Sequence, residues 1–171
     1  MEQGRIQVYT GDGKGKSTAA IGLAVRAAGH GVRVFIGQFL KGRESGELST
    51  LERIPEIRVE QFGGPEFVDP KKISEEERVR ARDGVARALE VVREETYGLV
   101  ILDEINVALD FGLISRAELE SILDGAPPVE LVCTGRNAPD WLIERADLVS
   151  EVRAVRHYAE AGVAARRGIE Y

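Results

Sequence analysis

The sequence predicts an α/β fold with a mostly parallel central sheet flanked by helices. Two observations carry this. Short β-rich runs alternate with stretches of helical spacing, which implies β-α-β units and a parallel sheet. In addition, three chemically loaded segments, "TGDGKGKST", "DE" and "TGR", each follow a strand-like run. Ligands of such sheets bind beyond the carboxyl ends of the strands. The 171 residues suit one domain, 1–171, long enough to bury a core without cross-links.

The elements follow in order. "RIQVYT" (Arg5 to Thr10) reads as the first strand, followed at once by a glycine-rich loop and the helix "KSTAAIGLAVRAAG". "VRVFIG" (Val32 to Gly37) is a second strand, "QFLKGRESGE" a long polar turn, "LSTLERI" a short helix and "IRVEQF" a third strand. "GGPEFVDPKK" is a loop by its glycine and proline content. Ser74 and Glu77 form a capping box, and Val85, Leu89 and Val92 continue at helical spacing, so a helix is expected from Ser74 to about Glu95. "GLVILDE" is a buried strand ending in two acids, "LISRAELESIL" a helix, and "VELVCTGR" a strand ending in a turn. "PDWLIERA" is a short helix and "DLVSEVRAV" a last strand, while the tail "RHYAEAGVAARRGIEY" has no clear period.

The loop carries the sharpest chemistry. Gly11, Gly13 and Gly15 let the backbone curl so that its N–H groups point inward. Lys16 supplies charge to phosphate oxygens, Ser17 can offer its hydroxyl to magnesium, and the following helix adds its positive end. Asp12 and Thr18 complete the stretch, and Lys14 is an extra cation suited to a polyanion. This is a phosphate-binding loop with one residue missing. It reads G-x-x-x-G-K-S, because Thr10 stands where a leading glycine would fall. Asp103 and Glu104, at the end of a buried strand, are the expected second handle on a phosphate-bound magnesium. Spacing does not decide which of the two touches it. Arg136, after another strand, is placed to clamp a phosphate.

Other residues read as structural. Cys133 is expected to be a small buried apolar residue, His30 a surface or capping residue, and Trp141 a packing residue of its helix. His157 has no partner at metal-ligand spacing, and Glu75 to Glu77 suit a helix start. The single cysteine fits a reducing compartment. There is no signal-peptide core and no run of membrane-spanning length, so a cytoplasmic protein without a membrane partner is expected. The net charge of -6, without a basic stripe, argues against a nucleic-acid partner.

Taken together, these residues resemble the P-loop ATP:corrinoid adenosyltransferases. The matching segments are "TGDGKGKSTAAIGLAVRAAGHG", "GQFLKG", Gly46–Glu47, "VILDE", "CTGR", "ADLVSE" and "RHYAEAGVAARRGIEY". The resemblance implies a P-loop NTPase fold of the RecA-like kind, in which the shortened loop is normal. It implies transfer of the 5′-deoxyadenosyl group of ATP to the Co(I) of cobalamin or a precursor corrinoid. Triphosphate would be released from an ATP lying reversed in the loop, with Mg2+ as cofactor. Lys16 and Arg136 would then be the catalytic cations. Binding would fall to Gly11, Asp12, Gly13, Lys14, Gly15, Lys16, Ser17 and Thr18, and metal ligation to Ser17 with Asp103 or Glu104. Phe67, in "FGGPEFVDP", becomes the candidate wedge that keeps the cobalt four-coordinate, although Asp69 stands where relatives can carry a tryptophan. The resemblance also implies a homodimer and leaves room for a flavoprotein reductase. The first strand begins at Arg5, so no N-terminal lid over the corrinoid is expected, and His157 to Tyr171 is a candidate cover. A generic P-loop hydrolase or kinase, using Glu104 to orient a nucleophile, is the alternative, and a RecA-like nucleic-acid motor the third reading.

Overall fold

The computed structural model describes residues 4–94, 96–125 and 128–169. Six strands, β1 (Ile6–Thr10), β2 (Val34–Phe39), β3 (Ile57–Phe62), β4 (Leu99–Asp103), β5 (Glu130–Thr134) and β6 (Leu148–Glu151), form one sheet. Its order is β3-β2-β4-β5-β1-β6, and every neighbouring pair is parallel. The helices are α1 (Lys16–Ala28), α2 (Gly46–Leu51), α3 (Glu75–Arg93), α4 (Ile105–Asp110), α5 (Arg116–Asp124) and α6 (Asp140–Arg145). A short 3₁₀ turn spans Tyr158–Ala161.

Both faces of the sheet are covered, which is why its central strands are apolar without alternation. Val34, Ile36, Leu99 and Ile101 point to one face and pack with Ala20, Ala24 and Ala28 of α1. The four-residue spacing of these alanines gives α1 a smooth stripe that lies close to the sheet. Phe35, Phe39, Val100 and Leu102 point to the other face, under Ala81, Val85, Ala88 and Val92 of α3 and Leu119 and Ile122 of α5. Capping boxes start both of these helices, Ser74 with Glu77 and Ser115 with Glu118.

The strand order positions the site. Only β5 lies between β1 and β4, so the segments after all three strands emerge side by side at one sheet edge.

Some expected boundaries move. Gln38 and Phe39, assigned to a polar turn, belong to β2 and are buried. Phe39 is drawn in by Phe62, 5.7 Å away between ring centroids. The second helix starts at Gly46 rather than Leu48. The helix α4 was not anticipated; it is short, and it follows a left-handed Glu104 (φ 61°) that lets Ile105 and Ala108 turn into the core. The last strand ends at Glu151, opposite the end of β1 at Thr10, rather than at Val155. Beyond it, Val152 turns onto the glycine loop, accepting from Gly13 N at 2.7 Å. The third helix ends at Arg93, and Glu95, its expected end, lies outside the described residues, as do Glu170 and Tyr171 of the tail.

Candidate functional site

The loop between β1 and α1 has the strained backbone its glycines allow. Gly11 (φ 95°) and Gly15 (φ 124°) take conformations that side chains disfavour. Gly13 has a different reason: a Cβ there would stand 2.7 Å from the carbonyl carbon of Arg153. The loop is thus pressed against the chain after β6, and α1 begins directly at Lys16. Its first turn carries no acid of its own, so the positive helix end is left to anionic groups from elsewhere in the chain or from a ligand.

Positive-φ residues other than glycine occur at Leu40, Glu104 and Asn137. Each stands just after β2, β4 or β5, at the same sheet edge as the loop. Strain of this kind clusters where chain geometry serves a site.

At that edge lies a cavity of about 870 Å³. Gly13, Lys14, Gly15, Lys16, Ser17 and Thr18 line its floor. Glu104, Arg136, Lys41 and Phe67 also line it, together with His157, Gly168 and Ile169 of the tail. Gly11 and Asp12 form the outer arm of the loop, where Arg136 Nη2 stands 3.5 Å from Asp12 O. Phe67 is 90% exposed, with the Arg43 guanidinium 5.0 Å from its ring centroid. It is therefore not packed beneath its loop but presented at the cavity rim.

The charges fall into two groups. Lys16 is buried, and its Nζ donates to Gly11 O at 2.6 Å and Gly13 O at 2.7 Å. Burial pulls its ammonium below the usual lysine range, with Glu104 the main opposing influence. Lys14 Nζ donates to Tyr158 Oη at 3.1 Å and to Ile169 O at 2.8 Å, which ties the loop to the tail.

The second group surrounds Asp103, which is 2% exposed. Its Oδ1 accepts from Ser17 Oγ at 2.7 Å and Thr134 Oγ1 at 2.6 Å. Its Oδ2 accepts from Lys41 Nζ at 2.6 Å and, more distantly, from Gln38 Nε2 at 3.5 Å. Burial alone would raise this carboxyl, but the Lys41 charge and these hydrogen bonds hold it below the usual range. Glu104 shows the opposite result: burial and the Asp103 charge raise it. The two acids at the end of β4 are placed differently: Asp103 accepts from Ser17. Asp103 stands behind the cavity wall, while Glu104 lines the cavity itself.

Sequence reasoning missed Lys41, Thr134 and Asn106. Lys41 was hidden in a stretch read as a polar turn. Its signal was the motif "GQFLKG", whose lysine directly follows the strand and the left-handed Leu40. Thr134 joins two of the strand ends: its Oγ1 also accepts from Glu104 N at 3.1 Å. Asn106, fully buried, donates to Gly135 O at 3.1 Å and so holds the turn that carries Arg136. Cys133, Trp141 and His30 sit as expected: buried, packed against the core and exposed, respectively.

A glycine loop, a hydroxyl on a buried carboxylate and an arginine, gathered at one parallel-sheet edge, have the arrangement of a P-loop nucleotide site. The family ATP:corrinoid adenosyltransferase BtuR/CobO/CobP matches residues 2–171. The chain belongs to this family. The corrinoid adenosyltransferase of Pseudomonas aeruginosa is 35% identical, over 99% of this chain and 85% of its own length. That of a Sinorhizobium species is 38% identical, over 99% of this chain and 81% of its own. The Escherichia coli K12 corrinoid adenosyltransferase is 36% identical, over 99% and 87%. The chain is accordingly an enzyme, a corrinoid adenosyltransferase with ATP and a corrinoid as substrates.

Proposed function

We propose that the glycine loop of this adenosyltransferase holds the triphosphate of ATP as a leaving group, with C5′ directed toward a Co(I) corrinoid in the upper part of the cavity. The observation that carries this reading is the concentration of cations on and against the glycine loop that lines the cavity, Lys14, Lys16, Arg136 and the start of α1, with the exposed Phe67 also lining it.

The reaction sets modest demands. The cobalt electron pair attacks C5′, the C5′–O bond breaks, and its electrons pass to the triphosphate oxygen. No proton leaves the nucleophile, so no general base is needed. The requirement is alignment and neutralisation of the departing charge. Lys16, poised on two loop carbonyls, has a third N–H to give to phosphate, and Arg136 closes on the loop arm. Ser17, Asp103 and Glu104 form an all-oxygen set around a site that already holds a cationic group, and they fit Mg2+. When bound, the metal would neutralise phosphate oxygens there.

Phe67 is the proposed contact to the corrinoid face opposite the attacked carbon, where a bulky apolar residue excludes a lower axial ligand. Support comes from its exposure at the rim and from the family resemblance. The chain 1–171 works as one domain, as a homodimer in the cytoplasm, and leaves the supply of Co(I) open to a partner such as a flavoprotein reductase. It binds neither nucleic acid nor membrane. Its single sheet supports the one-domain reading and its negative charge the lack of a nucleic-acid partner; among the described residues no helix is long and apolar enough to cross a membrane.

The test is an anaerobic optical assay with ATP, Mg2+ and chemically reduced cob(I)alamin. Loss of the Co(I) spectrum to a light-sensitive adenosyl product, with equimolar triphosphate, is the expected result. Formation of ADP and phosphate with the cobalt unchanged would instead support a P-loop hydrolase using Glu104.

A further inference from the structure

Lys41 stands where two functions meet. Its Nζ is 2.6 Å from Asp103 Oδ2, 3.2 Å from Ser17 Oγ and 4.0 Å from Glu104 Oε1. These three residues are the oxygen donors assigned above to the divalent metal. One ammonium therefore touches the whole donor set, and it borders the same cavity as the phosphate-binding loop.

We propose that Lys41 is a tethered cation that keeps the metal position filled between Ser17, Asp103 and Glu104, and that it transfers to the triphosphate when the metal–nucleotide complex arrives. The inference rests on the reading of Ser17 and the two acids as metal ligands.

Three features support an exchange rather than joint occupancy. A divalent ion bound to Ser17 and Asp103 would lie against the ammonium, and two cations repel strongly at that separation. The Asp103 oxygens are unequally held: Oδ1 has short bonds from Ser17 and Thr134, whereas Lys41 is the single close donor to Oδ2. Departure of Lys41 thus frees one carboxylate oxygen while Thr134 keeps the group in place. Finally, the backbone of Lys41 is fixed. A Cβ on Gly63 would stand 2.2 Å from Lys41 N, and Leu40 before it is left-handed (φ 59°). Only the flexible four-carbon stem is left to swing, and its side chain is 33% exposed toward the cavity.

The charge count agrees. Asp103 and Glu104 face Lys41, with Glu47 nearby. Metal plus triphosphate brings in both the replacement cation and a new anionic partner for the displaced ammonium. The protein alone should hold divalent ions weakly and take them up together with the nucleotide.

Manganese binding, read from the electron paramagnetic resonance signal of free Mn2+ without nucleotide, tests this. The wild-type protein should bind Mn2+ at least about tenfold more weakly than Lys41→Gln or Lys41→Met, with folding checked by circular dichroism. Equal affinity in wild type and a folded variant would overturn the proposal. A second measurement needs no variant: a crystal structure of the wild type with Mg2+ and inorganic tripolyphosphate. Lys41 Nζ should lie on a phosphate oxygen and off Asp103. Lys41 still bonded to Asp103 beside bound metal and tripolyphosphate would overturn it. If that same preparation forms adenosyl-corrinoid, this inference alone fails and the transfer reading stands. A preparation that binds no tripolyphosphate and transfers nothing would bring down both.

Discussion

At the scale of single residues, the site works by distributing charge. Lys16 is kept inside the loop by two carbonyls that hold it without neutralising it. A phosphate oxygen can therefore recruit the full ammonium charge. Lys16→Ala should lower kcat/KM for transfer by about a hundredfold to a thousandfold, with an unchanged circular dichroism spectrum. Unchanged turnover at saturating ATP would remove Lys16 from the mechanism. Cys133 makes the complementary case. Burial alone pushes its thiol up to about 12, and it faces the core rather than the cavity. Native protein should resist a thiol-directed reagent at neutral pH and react with it fully in denaturant. The site charges were legible in the sequence where a motif fixed their order, as in "GKGKS" and "DE". Thr134 and Asn106 were not, and Lys41 was signalled only by "GQFLKG", because their roles arise from contacts between segments distant in the chain.

At the scale of elements, backbone proximity decides what fits. In α3, a Cβ on Gly84 would lie 2.7 Å from Phe39 Cε1 and 2.9 Å from Phe62 Cγ. This helix glycine exists for contact with a ring pair of the sheet, since helix propensity alone would favour alanine. Gly84→Val should cost about 1–3 kcal/mol by overpacking, measured by urea denaturation. The elements that local patterns specify were readable. The Ser74 and Glu77 box gave the start of α3, and the apolar run before Asp103 gave β4. The elements set by tertiary context were not. The helix α4 is six residues long and depends on a left-handed turn at Glu104. The last residues of β2 become strand because Phe39 finds Phe62 and Gly84 across the fold.

At the scale of the whole molecule, the sheet edge gathers six chain segments around one cavity. The most distant is the tail, which showed no period in the sequence because its one regular piece among the described residues is a short 3₁₀ turn and Lys14 ties it to the loop. Tyr158 and Ile169 bond Lys14, and His157, Gly168 and Ile169 form part of the cavity wall. Truncation after Val155 should leave the sheet folded, since β6 ends at Glu151. It should raise the KM for ATP by about tenfold, seen in steady-state kinetics beside an unchanged circular dichroism spectrum.

The central claim is that the loop holds a leaving group and that the bond broken is C5′–O. ATP carrying a heavy-oxygen label between C5′ and the α-phosphorus tests this directly, with products of the Co(I) reaction read by mass spectrometry. The label should appear entirely in triphosphate, with the adenosyl group on cobalt and free of it. Label retained in ADP or AMP would place the chemistry at phosphorus and contradict the account.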